Sequence, residues 1–431
     1  MKTKFVRAAV VACLFCSAGI AVGFLPIGAA AADKPAATPA PPAPPAVSKD
    51  VGKLLDAARK LMIAGDYTTA KATVLQARDV PNRTPIDDFE INNFLGNIAI
   101  KLNDHVTAEV AFSAMADSPD IPETERAATF RIATLLSTEQ KHFDKGIKYG
   151  KAFVALGGAP DDTVLASMSE AYYYMKDYAA AETAGKQAIA AAPAGKAPNQ
   201  NAMTVVFGAE IQLKKQDEAV KTLEQMVDYY GKPDDWGQLV RSAFGIPGIK
   251  QADDLNLFRL ELATKASIEP ADYDTIAQLA IQMGYPVEAQ AALEAGISAG
   301  KVTNSGKTAA TLANARTRAA KDRATLSSFE ATAAKSPNGE LDIKLAQTYF
   351  GYGRYADAVT AARRGLGKGG AKADANEANM VIGMALAMQG NSADAQAALN
   401  NVKGSPATVR VAHLWSLYAG RKSATAAAPA H

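Results

Sequence analysis

A small residue, alanine or glycine, recurs along most of this chain at the interval that one pair of packed helices occupies. Successive members of the series lie 38, 38, 35, 38, 70, 69 and 37 residues apart, so that each of the two long intervals is about twice the others. A period of this size is typical of stacked helix–turn–helix units, because one hairpin can bury its apolar face only against the next. The series comprises Ala70, Ala108, Gly146, Ala181, Ala219, Ala289, Ala358 and Ala395.

The first 32 residues have the pattern of a secretory signal. Lys2, Lys4 and Arg7 precede an uncharged stretch, residues 8–32, that ends in four alanines. We expect residues 1–32 to be a signal peptide, with an uncleaved membrane anchor as the alternative. Lysine and arginine before the apolar stretch keep its start in the cytoplasm. Both interpretations predict that the rest of the chain is periplasmic.

The charge balance of the remaining chain argues against two classes of main partner. The sequence has 46 basic and 44 acidic side chains, and the predicted signal holds three of the basic ones and no acidic one. Such a nearly neutral body disfavours nucleic acid and anionic lipid, and we expect contact with a membrane only if the signal is uncleaved. Cys13 and Cys16 both lie in the signal, so we expect no disulfide, thiol nucleophile or cysteine-bound metal beyond it.

Low-complexity segments flank the predicted repeats. Residues 33–48 contain six prolines among alanines, a composition that prefers an extended polyproline II conformation and cannot build a core. We interpret them as a spacer. Residues 423–431 are rich in alanine, and we expect a disordered tail.

The clearest hairpin spans residues 165–193 and matches the tetratricopeptide repeat (TPR). Apolar, small and aromatic residues and a closing proline occupy the required positions: Leu165, Met168, Ser169, Tyr172, Tyr178, Ala181, Ala188 and Pro193. The small residues allow two helices to approach closely, and the proline ends the second helix. The chain thus resembles TPR proteins, which implies an all-α, right-handed superhelical solenoid of about ten hairpins with a C-terminal capping helix.

We divide this solenoid into three parts. Residues 49–228 form an N-terminal TPR array, residues 229–337 form divergent hairpins with one TPR-like unit, and residues 338–422 form a C-terminal TPR pair with its cap helix. The two double intervals predict degenerate hairpins at residues 234–265 and 308–335. The cap helix carries one apolar stripe: Val411, Leu414, Trp415 and Tyr418.

A second, narrower resemblance covers residues 229–420. It rests on the segments YYGKPDDW at 229–236, GYPVEA at 284–289 and HLW at 413–415. These segments are similar to those of a family of uncharacterised bacterial envelope proteins that contain TPRs. The resemblance implies an extracytoplasmic scaffold without a known active site.

No constellation in the sequence predicts catalysis, a cofactor or a bound metal. Four aspartate pairs precede or begin predicted helices, where carboxylates cap free backbone N–H groups: Asp87 and Asp88, Asp161 and Asp162, Asp234 and Asp235, and Asp253 and Asp254. The four histidines lack the spacing of metal ligands. Met380, Met384 and Met388 lie in a row on one helix, which we interpret as packing, with a copper(I) site as the alternative.

The inner face of the first helix in each repeat provides the candidate binding site. In the TPR register this face carries Asn93, Asn97, Lys101, Arg131, Glu170, Tyr173, Tyr174, Asp274, Gln278, Gln282, Gln347 and Phe350. Amides pair with the backbone of an extended peptide, and tyrosines supply contact area at low entropic cost. An ordinary solvated face is the alternative.

We therefore predict a non-catalytic periplasmic scaffold that mediates protein–protein interaction in the bacterial cell envelope. Its partner, a protein or an extended peptide, is expected in the concave groove. The alternative is an accessory subunit of an envelope enzyme or of an outer-membrane uptake or assembly machine.

Overall fold

The computed structural model describes residues 46–119, 121–266 and 268–427, with side chains up to residue 421. The predicted signal peptide, most of the predicted spacer and the last four residues lie outside these ranges. Every regular element in the described part is an α-helix, and consecutive helices pack as hairpins, which confirms the predicted TPR-like all-α repeat fold. The chain forms two compact units that divide between Ala192 and Pro193.

The N-terminal unit consists of four stacked hairpins. Its helices are α1 (Lys49–Ile63), α2 (Tyr67–Ala77), α3 (Pro85–Lys101), α4 (His105–Ala116), α5 (Glu123–Glu139), α6 (Phe143–Ala155), α7 (Asp162–Tyr174) and α8 (Tyr178–Ala190). Each helix packs on the next, and first helices of neighbouring hairpins also touch, as α5 and α7 do. This is the neighbour-to-neighbour packing of a repeat array.

The hairpin turns follow a simple chemical rule. In three of them a residue with positive φ precedes an aspartate that begins the second helix: Gly65 and Asp66, Asn103 and Asp104, and Lys176 and Asp177. The left-handed residue reverses the chain. The aspartate carboxylate then accepts a hydrogen bond from the backbone N–H three residues later, which satisfies a donor that the helix leaves free.

Close packing explains the recurring small residues. Ala70, Ala108 and Ala181 are fully buried where the two helices of a hairpin meet. A Cβ atom added at Gly96 would lie 2.6 Å from the ring of Phe112, a distance that real Cβ contacts do not show. The helices therefore approach each other more closely than larger side chains allow.

The C-terminal unit contains five hairpins, one unpaired helix and a final helix. Its helices are α9 (Gln200–Gln212), α10 (Gln216–Tyr229), α11 (Pro233–Arg241), α12 (Gln251–Thr264), α13 (Pro270–Gln282), α14 (Pro286–Ser298), α15 (Gly306–Lys335), α16 (Glu340–Gly351), α17 (Tyr355–Lys368), α18 (Ala375–Met388), α19 (Ser392–Asn400) and α20 (Pro406–Ala427). The hairpin predicted at residues 234–265 is present as α11 and α12.

The second degenerate hairpin, predicted at residues 308–335, is wrong. This segment belongs to α15, one continuous helix of 30 residues. Its first half packs against α14 through Leu312 and Ala315, and Tyr352 of the segment after α16 donates to Asp322 in its second half. No glycine or proline lies between Gly306 and the end of the helix, so nothing in the sequence breaks it. The described part therefore has nine hairpins instead of about ten.

The last helix packs back onto early helices of the same unit. As predicted, α20 packs on the last hairpin, α18 and α19, and in its apolar stripe Leu414 and Trp415 are fully inaccessible to solvent. In addition, α20 contacts α10 and α12. The indole Nε1 of Trp415 donates to the backbone oxygen of Asn256 at 3.0 Å, and Thr408 donates to Asp253 at 3.0 Å.

The chain forms additional contacts and helix near three of the predicted boundaries. The N-terminal array was expected to reach residue 228, but α9 and α10 belong to the C-terminal unit, where Glu224 of α10 pairs with Arg410 of α20. The spacer was expected to run to residue 48, and α1 begins at Lys49. Val47, at the end of the spacer, already packs on the first hairpins, and the Ser48 backbone N–H donates to Asp87. The helix α20 continues to Ala427, past the expected start of the tail, because alanine favours helix.

Candidate protein-interaction surface

Seven of the predicted groove residues lie in the N-terminal unit, on the first helices of successive hairpins. They are exposed or half-buried: Asn93, Asn97 and Lys101 on α3, Arg131 on α5, and Glu170, Tyr173 and Tyr174 on α7. We call this set the A-helix face. On α7 the helical repeat explains the arrangement, since Glu170 and Tyr174 are four residues apart and share one side. Leu165 and Met168 point to the opposite side and are buried.

The tyrosines of the A-helix face belong to an aromatic cluster at the end of α7. The ring of Tyr174 stacks on Phe143, with centroids 4.8 Å apart and planes 7° from parallel. Tyr173 meets Tyr174 edge to face at 6.2 Å and Tyr178 at 5.4 Å. Tyr174 is 43% exposed, and Met175, which follows it, is 53% exposed. The cluster is thus a preformed platform with an open edge.

Both tyrosine hydroxyls are protonated at neutral pH, and their surroundings raise the pKa of each further. Partial burial raises the pKa of Tyr173, and the neighbouring Tyr178 adds to the shift. Burial also raises the pKa of Tyr174, with a further contribution from the negative charge of Glu170. Both groups therefore remain hydrogen-bond donors.

The other members of the A-helix face are held by local interactions. The amide of Asn97 donates to the backbone oxygen and to Oδ1 of Asn93, both at 2.8 Å. The guanidinium Nε of Arg131 donates to Asp161 at 2.7 Å. Burial raises the pKa of Asp161, but Arg131 and the backbone N–H of Val164 outweigh it and hold this pKa below its usual value. Arg131 thus orients the start of α7.

The five predicted groove residues of the C-terminal unit do not form an equivalent surface. Gln347 and Phe350 are buried, which corrects their assignment to an open groove. Asp274 accepts a hydrogen bond from Thr308 of α15 at 3.0 Å. Gln278 is half-buried and Gln282 is exposed. The face of α16 that the sequence predicts to bind a partner is covered by α12 and α20.

A buried arginine on α12 contacts this face of α16 and helps to cover it. The sequence alone did not identify this residue. The guanidinium of Arg259 on α12 donates twice to Glu288, at 2.7 Å each, to Asn256 at 2.9 Å and to Gln347 at 3.0 Å. We call these four side chains the Arg259 cluster. Burial lowers the pKa of Arg259, but the charge of Glu288 more than compensates and raises it, so the arginine stays charged.

Aromatic rings enclose the Arg259 cluster. The guanidinium carbon lies 4.8 Å from the centroid of Phe350 and 5.5 Å from that of Tyr285. Phe350 in turn contacts Trp415 of α20 edge to face at 6.5 Å. No local pattern signals this site, because its members come from helices far apart in the sequence.

The aspartate pairs and the methionine row identified in the sequence lie at helix starts and in the helix packing, respectively. Both members of each aspartate pair lie at the N-cap or in the first turn of α3, α7, α11 or α12, where capping was expected. Asp161 accepts two cap hydrogen bonds at α7, and Asp87 and Asp253 each accept one from the backbone N–H of the N-cap residue. At α11 no side chain of a described residue caps the helix by a hydrogen bond. Among the described residues, no group of three or more His, Cys, Asp or Glu side chains is arranged to hold a metal ion. Met380 and Met384 are buried, consistent with packing. None of the described helices combines the length and apolarity needed to cross a bilayer.

Comparisons with known proteins give remote structural similarity alone. No protein-family model matches the chain, and no curated protein matches it. Among solved structures it is similar to a tetratricopeptide repeat protein from Parabacteroides merdae, with 12% identity and a TM-score of 0.33 over 79% of this chain and 100% of that one. It is also similar to the assembly chaperone of RpL4 (Acl4), with 16% identity and a TM-score of 0.30 over 64% of this chain and 99% of that one.

A third similar structure is Naa15/Naa10 bound to HypK-THB, with 14% identity and a TM-score of 0.33 over 82% of this chain. The match spans 63% of that chain, less than two thirds of its length. At such identities and scores these similarities carry no inference about function. The narrower resemblance to envelope proteins with TPRs stays a prediction.

Proposed function

We propose that this protein is a non-catalytic scaffold of the bacterial cell envelope that binds a protein partner on the A-helix face of its N-terminal unit. One observation carries the proposal: the tyrosine cluster is open to solvent there, whereas the corresponding face of α16 is covered by the chain itself. The signal pattern of residues 1–32 supports export to the periplasm.

The distribution of exposed apolar side chains supports the same division of roles. Among the described residues, nine of the twelve large hydrophobic side chains that are most exposed lie in the N-terminal unit, although it is the smaller unit. Exposed apolar groups of this kind mark interaction surfaces when they cluster. The N-terminal unit is therefore the partner-binding unit of the proposal, and the C-terminal unit is its closed support.

An extended peptide fits the chemistry of the A-helix face. Tyr173 and Tyr174 offer rigid aromatic rings, and the Asn93 and Asn97 amides supply hydrogen-bonding groups along the same face. Such groups pair with backbone amides without requiring one particular sequence. Lys101 lies at the exposed end of α3, on the same face.

Photo-crosslinking in cells tests this proposal. A photoreactive residue at Tyr173 should give one dominant protein adduct, identified by mass spectrometry. The double variant Tyr173→Ala and Tyr174→Ala should weaken capture of that partner about tenfold or more. Tyr229→Ala is the matched control, because Tyr229 is similarly exposed, at 46%, in the C-terminal unit.

The outcomes separate the alternatives. Undiminished capture by the double tyrosine variant, at an unchanged melting temperature, would reject the A-helix face as the binding site. An adduct that is an envelope enzyme or an uptake component, recovered in fixed ratio, would identify the protein as an accessory subunit. Recovery of the chain in the cytoplasmic fraction would reject export.

A further inference from the structure

An apolar groove lies on the side of α7 opposite Tyr174, between α6 and α8. It consists of two adjoining cavities of about 380 and 550 Å³ that share Val154, Leu165 and Gln187. Leu165 and Met168 of α7 form its floor, and Val154, which is 51% exposed, forms part of one wall. We call it the α6/α8 groove.

The composition of α8 explains why the groove is open. Its wall on that side is made of small side chains, among them Ala179, Ala180, Thr183 and Ala184. Alanine satisfies the helix but leaves the space between neighbouring second helices unfilled. Val154 is thereby left with no large apolar partner across the groove.

The interface between α4 and α6, the second helices of the two preceding hairpins, shows how such a gap is otherwise closed. We call this interface the seam. Between α4 and α6, the ammonium of Lys145 lies 3.3 Å from Glu109, and that of Lys148 lies 2.7 Å from Asp117. Tyr149 also donates across this seam to Asp117, at 3.1 Å. The wall of α8 that faces the groove presents mainly alanine and threonine side chains instead.

The groove has one positively charged group on its wall. Lys151 is the only cationic side chain among the described lining residues, and its ammonium lies 5.9 Å from the ring centroid of Tyr172. Asp161, the acidic lining residue, is already engaged by Arg131. An apolar trough with one available positive charge is complementary to an apolar segment that carries one acidic residue.

We propose that the α6/α8 groove is a second docking site, which binds an amphipathic helix of a partner protein with its apolar face on Leu165 and an acidic side chain at Lys151. Two helices with an apolar floor form the shape that accepts a third helix. The wall from Ala179 to Ala191 is about 18 Å long, at 1.5 Å per helical residue, which corresponds to about three turns of the bound helix. This site goes beyond the proposed function, because it uses another face.

Selection from a peptide library tests the proposal. Randomised helix-forming peptides of about 14 residues, displayed on phage, are selected on the purified full chain and sequenced. We expect enriched peptides to combine apolar residues at positions i, i+3 or i+4 and i+7 with an acidic residue. Val154→Glu should weaken their binding about tenfold or more, because it places a charge in the apolar trough. The matched control is Val110→Glu on α4, where the valine is 54% exposed.

A charge swap tests the role of Lys151. Lys151→Glu should weaken the acidic peptides by about two- to fivefold, and the same peptides with lysine in place of their acidic residue should regain that loss. The alanine variants of Tyr173 and Tyr174 should leave peptide binding unchanged, which separates this site from the A-helix face.

Four results would overturn the proposal. The first is no enrichment of peptides over an unrelated protein, and the second is enriched peptides that bind the Val154→Glu variant as tightly as the parent. The third is a dimer in sedimentation that this variant converts to a monomer. The fourth is tighter peptide binding after removal of residues 33–45. The third would assign the groove to a second copy of the chain, and the fourth to the chain's own N-terminal segment.

Discussion

Removing Glu288 should destabilise the C-terminal unit strongly, because it leaves a buried positive charge without its counterion. The side chains of Arg259 and Glu288 are 5% and 10% exposed, and the pair forms two hydrogen bonds of 2.7 Å. Breaking a buried ion pair by deleting one partner typically costs about 3–5 kcal/mol. Arg259 cannot escape by losing its proton, since an arginine guanidinium stays protonated in proteins even without its counterion.

The surroundings of Arg259 place the expected loss at the lower end of that range. Asn256 and Gln347 still accept hydrogen bonds after Glu288→Ala, and the faces of Tyr285 and Phe350 attract the cation. We therefore expect the free energy of unfolding to fall by about 3 kcal/mol.

Replacing both members of the ion pair by apolar residues provides the comparison for Glu288→Ala. The double variant Arg259→Met and Glu288→Leu removes both charges while keeping side-chain volume, and such replacements are often neutral or stabilising. It should therefore be more stable than Glu288→Ala.

Tryptophan fluorescence during denaturation with urea measures these changes in one unit alone. Both tryptophans of the chain, Trp236 and Trp415, lie buried in the C-terminal unit, so the N-terminal unit contributes no tryptophan signal. A loss below about 1 kcal/mol for Glu288→Ala, or a double variant as unstable as the single one, would refute the reasoning.

Three further predictions test local features. Burial raises the pKa of Glu261 from its usual value of 4.5 to about 7, so its stabilising contribution is present below pH 4.5 and lost as pH rises to 7. Glu261→Gln should therefore raise stability above pH 7 and change it little near pH 4.5, as measured by urea unfolding at both pH values. Lys176→Gly should stabilise the protein by up to about 1 kcal/mol, because the backbone at Lys176 has a φ of 64°. Gly284→Ala should destabilise it by about 1 kcal/mol, because Gly284 has a φ of 85°, although there is open space around it. Thermal unfolding of each variant, followed by circular dichroism, measures both changes. Gly383→Ala should lower the free energy of unfolding by about 1–3 kcal/mol, because the new Cβ would lie 2.3 Å from Leu399. An unchanged midpoint of urea unfolding, followed by tryptophan fluorescence, would contradict this packing argument.

The sequence predicts those parts of the fold that depend on neighbouring residues. The hairpins follow from small residues at a fixed interval, since Ala181 is fully buried and a Cβ at Gly146 would lie 2.4 Å from Oγ1 of Thr138. The capping roles of the aspartates follow equally from local chemistry, because the donors they satisfy lie within one turn. On α7, the same helical periodicity correctly separates the exposed Tyr174 from the buried Leu165.

The errors concern information that is not local. The interval of 69 residues between Ala289 and Ala358 suggests two hairpins, but a repeat count cannot reveal that α15 has no break. Gln347 occupies a groove position in the TPR register, yet Arg259 reaches it from 88 residues away. Hydrophobic periodicity identifies α20 as a cap but does not reveal which other helices it meets.

The return of α20 onto α10 and α12 changes how the C-terminal unit folds. In an open repeat array every contact is short in sequence, so segments form and melt independently. Here Arg421 bonds to the backbone of Asp228, a separation of 193 residues, and closing such a loop slows folding and makes the unit unfold as a whole. Because α20 follows the other described helices in the chain, the buried carbonyl of Asn256 meets its partner Trp415 only after the 159 residues that separate them have been synthesised.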